Sequence, residues 1–231
     1  MGNQAESLTS RREQAKEGRR QAILNAAEGL IEESGNTDFS MKQLAERAGI
    51  STFTTYNLIG QKGEVLYTLL ERSLDDIDAL AMMQARKIDP REQPLEYVFE
   101  AAENIVRVFT ARSALYQPLF RFLLGVPDET HRPIFMKRSS DYWRFAYAPL
   151  DEAGLIAAPV TKIDLVRQAQ HLFTGVLEYW VHNDLTDKDF SDHVRHGFAL
   201  HLLALNVPGA EAMLGERLST TRASIVRAIG E

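Results

Sequence analysis

Residues 40–66, SMKQLAERAGISTFTTYNLIGQKGEVL, constrain the fold of this chain more than any other stretch. Met41, Leu44, Ala45 and Ala48 fall at helical spacing behind Ser40, a good N-cap. Gly49 supplies the backbone freedom that a tight turn needs at a helix C-terminus. Ser51 can cap a second, very short helix whose exposed side carries Thr52, Phe53, Tyr56 and Asn57. A helix this short gains little from propensity, so packing has to hold it. A hairpin buried in a core would need a thoroughly apolar second helix. Residues 51–57 instead carry mostly hydroxyls and an amide, with no acid, which suits a surface facing phosphates and base edges. The stretch predicts a helix-turn-helix followed by a third helix, with double-stranded DNA as its partner.

At 231 residues and 45% hydrophobic, the chain can bury a sizeable core in one or two helical units. The absence of cysteine excludes disulfides and thiolate metal sites. No apolar run approaches the ~20 residues of a membrane span, and the polar N-terminus does not read as a signal peptide. A cytoplasmic location is therefore expected, with no membrane partner. A net charge of −6 is unusual for a nucleic-acid binder, but it is unevenly spread. Residues 1–70 hold eight Lys/Arg against nine Asp/Glu, and residues 71–231 hold eighteen against twenty-three. Phosphate binding depends on local cations rather than overall pI. The balance argues against a protein that coats any DNA, not against one that reads a site.

Helical periodicity continues almost to the end, with no strand-like alternation and no internal repeat. Residues 1–17 are polar and weakly patterned, and read as a mobile arm carrying Arg11, Arg12 and Lys16. The first helix is expected near 18–34, striped by Ile23, Ala26, Ala27, Leu30 and Ile31 and ended by Gly35. A longer helix follows at about 62–86, where Lys62 and Gly63 can offer a cation and free N–H groups to a phosphate. Its run Asp75-Asp76-Ile77-Asp78 lacks the further carboxylate of an Asp-rich Mg²⁺ motif and reads as a solvated face. Further helices are expected near 94–111, 129–153, 161–183, 188–206 and 210–229, punctuated by Pro90, Pro127, Pro159 and Pro208-Gly209. Nine or ten helices and an all-α fold are the outcome.

Residues 19–66 resemble the DNA-binding domain of the TetR family of transcriptional regulators. The matching positions are Ile23, Leu24, Ala26, Ala27 and Gly35, then Ala48, Gly49, Ile50, Ser51, Thr54, Tyr56, Lys62 and Leu66. Phe53, Thr55 and Ile59 depart from the pattern, where a small residue, an apolar residue and Phe are usual. The resemblance implies a flexible arm (1–17), a three-helix DNA-binding domain with the helix-turn-helix (18–66), and a helical ligand-binding and dimerisation domain (67–231). It also implies a homodimer on a palindromic operator, with the helix at 62–86 joining the domains. Thr52, Phe53, Thr55 and Tyr56 are expected to face the major groove. Ser40, Thr54, Asn57 and Lys62 are expected on phosphates, with Ser51 completing the DNA-facing set.

Ten aromatic residues crowd positions 99–147. The resemblance places an inducer among the middle helices of this domain, and such pockets are mostly apolar with a few polar groups. A small hydrophobic or aromatic effector is expected beside Phe109, Tyr116, Phe120, Trp143 and Phe173, with Gln117 or His171 fixing its polar end. Arg121, His131 and Glu178 are further polar candidates. The helices at 161–183 and 188–206 are apolar over most of their circumference and need cover beyond their own core. The resemblance supplies that cover, since it implies that these two helices pair with their copies in a second subunit, and Leu172, Val176, Trp180, Val194, Phe198, His201 and Leu205 are expected in this two-fold interface.

His193 and His196 have metal-compatible spacing, but Asp189 and Asp192 stand four residues before them and make ordinary helix pairs the simpler reading. No nucleophile turn, Gly-rich phosphate loop or acid/base carboxylate pair appears, so neither enzyme activity, a metal nor a cofactor is expected. The leading reading is a ligand-responsive regulator, most simply a repressor released by its effector; activation is a variant. The alternative is a helical small-molecule-binding protein without specific DNA recognition, suggested by the three departures and the near-neutral N-terminal domain.

Overall fold

Helix is the only regular structure among the described residues, as the periodicity predicts. The computed structural model describes the backbone of residues 2–84 and 87–228, and side chains from 12 to 83 and from 87 to 227. In chain order the helices are α1 (Gly2–Ser34), α2 (Met41–Ala48), α3 (Thr52–Ile59), α4 (Lys62–Gln84), α5 (Pro94–Ala111), α6 (Ser113–Gly125), α7 (His131–Glu152), α8 (Lys162–Val181), α9 (Asp187–Leu203) and α10 (Glu211–Ala228). Two compact units emerge, Met1–Arg72 and Ser73–Glu231, and the division falls inside α4.

Two boundaries differ from expectation. The first helix begins at Gly2, so the segment read as an arm continues α1. Residues 3–17 contain neither Gly nor Pro and are rich in Gln, Ala, Glu, Arg and Lys, all good helix formers. Arg12 to Arg19 are exposed, which explains why no apolar stripe announced the helix. The side chain of Arg11 lies outside the described residues. The second difference is α6, which the sequence left unassigned. Arg112, at φ −140° and ψ 53°, breaks the direction between α5 and α6. Pro118 lies inside α6 and leaves the carbonyl of Ala114 without its helical N–H donor. Burial of Leu115, Tyr116, Leu119, Phe120 and Leu123 holds the helix despite that loss.

In the first unit α1, packed on α2 and α3, buries Ile23, Leu24, Ala27 and Ile31, while α2 buries Leu44 and Ala45 and α4 buries Leu66 and Leu70. Each large side chain so buried is worth about 1.5–3 kcal/mol. Arg47 of α2 forks onto the Glu33 carboxylate of α1, and this hydrogen-bonded pair holds the Glu33 carboxyl below the usual range. Gly29 makes room for that crossing, since a Cβ there would meet Arg47 Nη2 at 2.8 Å. Arg72 donates to Glu28 at 2.8 Å and also reaches Gln21, tying α4 to α1.

In the second unit aromatic rings fill the centre. Trp180 stacks on Phe190 at 4.8 Å, and Trp143 on Phe198 at 5.2 Å. The Trp180 indole donates to Asp187 at 2.8 Å, so its polar edge is satisfied. Glu103 of α5 is buried and paired with Arg195 of α9. Asp75 and Asp78 face solvent, as expected, and both also accept from Arg138 of α7, at 2.6 and 3.1 Å. The helix pairs expected for the histidines do not form among the described residues. Arg227 takes Asp189 and Lys188 takes Asp192, while His196 Nδ1 meets the Thr221 hydroxyl at 2.9 Å.

Candidate nucleic-acid interface and ligand cavity

The turn between α2 and α3 is built from its ends. Ser40 Oγ accepts the Gln43 N–H at 3.2 Å, and the Gln43 side chain accepts the Ser40 N–H at 2.8 Å, a reciprocal capping box. At the other end Gly49 adopts φ +68°, and the N–H groups of Gly49 and Ile50 reach Glu46 and Ala45 at 3.2 and 3.1 Å. Ser51 caps α3 by accepting the Thr54 N–H at 3.2 Å, and the two hydroxyls share a further bond at 2.8 Å. The first role of Ser40, Ser51 and Thr54 in this structure is therefore to fix the helix starts.

With α3 fixed, its outer face carries Thr52, Phe53, Tyr56 and Asn57, and its inner face Thr55 and Ile59. Phe53 is 76% exposed and Tyr56 46% exposed, large values for rings that no core explains. Thr55 corrects the sequence reading: it is fully buried, and its hydroxyl donates to the Ser51 carbonyl at 3.1 Å. It fills the apolar position of the pattern by hiding its hydroxyl in the helix backbone, and cannot reach a base edge. Ile59 is also buried, so its departure from Phe is a packing change.

The start of α4 is a second correction. Gly60, at φ +80°, brings the chain round, and Glu64 reaches back to accept the Gln61 N–H at 2.5 Å. An acid therefore occupies the helix start that was expected to offer N–H groups to a phosphate. The Lys62 ammonium lies 5.2 Å from the Phe39 ring centre, held by a cation–π contact. Lys16 and Arg20 of α1 line a groove shared with Leu58 of α3, together with Glu13 and Glu17, so the groove carries two cations and two acids.

The second unit contains an apolar cavity of about 60 Å³ between α4, α5, α6, α7 and α8. Phe109, Phe120, Trp143 and Phe173 line it, as expected, together with Leu74, Phe135 and Leu177. Tyr116, Gln117 and His171 do not. The Tyr116 hydroxyl donates to Asp76 at 3.3 Å and Gln117 donates to the Trp180 carbonyl at 3.0 Å, so both serve the packing of helices. His171 and Glu178 are exposed on the outer side of α8. The polar lining comes instead from Arg132, Ser139, Tyr142 and Thr174. Residues 132, 135, 136, 139, 142 and 143 recur at helical spacing on α7, a pattern that could have identified this wall from sequence.

The expected dimer residues divide sharply. Trp180, Val194 and Phe198 are buried in the protomer's own core and are not available to a partner. Leu172, Val176, His201 and Leu205 are half-buried. The apolar stripe that does reach the surface runs through Leu172, Gly175 and Tyr179 of α8 and Gly197, Leu200 and Leu203 of α9, with Tyr179 60% and Leu200 51% exposed.

No protein-family model and no curated protein matches the chain. Solved structures do. A Syntrophomonas wolfei protein described as a TetR-family transcriptional regulator has TM-score 0.68 at 18% identity, over 82% of this chain and 96% of that one. Thermus thermophilus FadR, a TetR-family repressor in complex with lauroyl-CoA, has TM-score 0.65 at 19% identity, over 79% and 93%. SmeT, the repressor of the Stenotrophomonas maltophilia multidrug efflux pump SmeDEF, has TM-score 0.62 at 19% identity, over 82% and 94%. This all-helical chain has the fold of the TetR-family transcriptional regulators.

Proposed function

We propose that the protein is a ligand-responsive, DNA-binding transcriptional regulator of the TetR type, acting as a homodimeric repressor. The observation that carries this reading is α3. It is capped at its start, anchored from beneath by Thr55 and Ile59, and presents Thr52, Phe53, Tyr56 and Asn57 outward with no acid among residues 51–57. Such a face fits a major groove, where Tyr and Asn can bond to base edges or phosphates and Phe53 can contact a thymine methyl. The exposed stripe of α8 and α9 is the surface that would join two copies, placing two such helices on half-sites ~34–36 Å apart.

The cavity supports an organic effector with an apolar body. At about 60 Å³ it is closed in this state, well under the ~300 Å³ of a site that encloses a small molecule. An effector that opens it favours a different conformation by its differential affinity, and by linkage weakens DNA binding as much as DNA weakens effector binding. The similar Thermus repressor holds an acyl-CoA, which accords with a ligand site in this fold.

A mobility-shift titration against the DNA flanking the protein's own gene tests the proposal. A discrete shift that resists competitor DNA is the expected result. Binding no tighter than to random DNA would favour the alternative of a small-molecule-binding protein without specific recognition, for which the Glu64 carboxylate at the start of α4 is the supporting observation.

A further inference from the structure

The geometry points to an anionic effector: we infer that the cavity takes a small apolar acid whose carboxylate pairs with Arg132. This rests on the cavity being the effector site, and it names the ligand's chemistry. Twelve of the sixteen lining residues are apolar, and Arg132 is the only charged one. Its side chain is half-buried, and no described residue supplies it with a counter-ion. Of the two carboxylates closest to it in sequence, Glu129 is exposed and forms no ion pair with it among the described residues, and Asp128 is already committed. Asp128 accepts the N–H groups of Thr130, His131 and Arg132 and meets the His131 ring, contacts that hold its carboxyl down to about 2.

A guanidinium drawn partly out of water beside apolar walls gains most from a planar, bidentate anion, and a carboxylate offers that geometry. The position of Arg132 also orients the ligand. It stands at the N-terminal end of the α7 stripe that lines the cavity, and Tyr142 and Trp143 stand at the other end. Eleven residues of helix separate Arg132 from Trp143, about 16 Å at 1.5 Å per residue. A ligand with its acid group at Arg132 and an apolar or aromatic body directed toward Trp143 would lie along that axis once the cavity opens. A sugar would leave the twelve apolar walls unmatched, and an apolar cation would meet the guanidinium at its head.

The test is calorimetry on the full chain with 4-phenylbutyrate and its uncharged amide, using wild type, Arg132→Gln and Arg132→Lys. The acid is expected to bind wild type at least tenfold more tightly than the amide. In Arg132→Gln that preference should fall to about twofold or less, and Arg132→Lys should keep part of it. Equal affinity of acid and amide for wild type, or an undiminished preference in Arg132→Gln, would overturn the charge assignment and leave the cavity reading intact. Failure of both compounds to bind would overturn the cavity reading and this inference with it. Thermal unfolding of each variant checks that the fold is retained.

Discussion

The side chain of Leu172 on α8 fills the notch left by Gly197 on α9, so closely that a Cβ at 197 would meet Leu172 Cδ1 at 3.0 Å. Here a missing side chain sets the distance between two helices. Gly197→Ala should be close to neutral in urea unfolding, because about 1 kcal/mol of helix propensity offsets a small shift of Leu172. Gly197→Val adds bulk without that compensation and should lower the midpoint by the equivalent of about 1–3 kcal/mol. A valine variant as stable as the alanine one would show that the contact is loose.

This notch is part of the proposed dimer face, and charge placed on that face discriminates surface from core. Leu200→Arg, at an exposed position, should yield a folded monomer in sedimentation velocity. Phe198→Arg, at a fully buried position, should fail to fold, because an unpaired charge is buried at high cost. The interface should cover more than ~1,000 Å². A wild type that sediments as a monomer at micromolar concentration would remove the basis for it.

DNA binding separates the outer and inner faces of α3. Lys62→Ala should weaken binding about equally on all sequences and reduce the salt dependence by about one phosphate contact per subunit. Phe53→Ala should relax preference at one base pair, costing about 1–3 kcal/mol on the best site. Thr55→Val, which removes only a hydroxyl bonded to the Ser51 carbonyl, should leave the preference unchanged. A changed preference in Thr55→Val would mean that α3 turns when it binds.

Acid sensitivity should trace in part to His201. Burial beside Tyr147 and Phe198 pushes its pKa below the usual 6.5, and burial followed by Arg222 does the same for His196. Below pH 6.5 the unfolded chain therefore takes up protons that the folded chain resists, and stability falls as pH falls. The urea midpoint should decline from pH 7.5 to 5.5 in wild type, and less steeply in His201→Phe. Parallel curves for the two proteins would assign the acid sensitivity elsewhere.

The outer face of α3 was legible in the sequence because it is a local property. Capping by Ser40 and Ser51, the turn at Gly49 and the helical spacing of Thr52, Phe53, Tyr56 and Asn57 all operate within one or two turns of chain. The aromatic wall of Phe109, Phe120, Trp143 and Phe173 was legible for a similar reason, since large rings in a helical chain have to meet somewhere. What periodicity reports, however, is burial. It missed residues 2–17, where helix forms through propensity and the described side chains stay in water.

Tertiary structure alone decided between equivalent apolar stripes. On α8 and α9 the residues facing the protomer's core and those reaching the surface are both hydrophobic, so spacing could not tell Trp180 and Phe198 from Tyr179 and Leu200. Composition could not assign polar groups to the cavity either. His171 points outward while Arg132, eleven residues before Trp143 on α7, points in. Thr55 shows the same division at the scale of one residue. Its hydroxyl suggested a DNA contact, and only the packing of α3 revealed that the backbone of its own helix had already taken it.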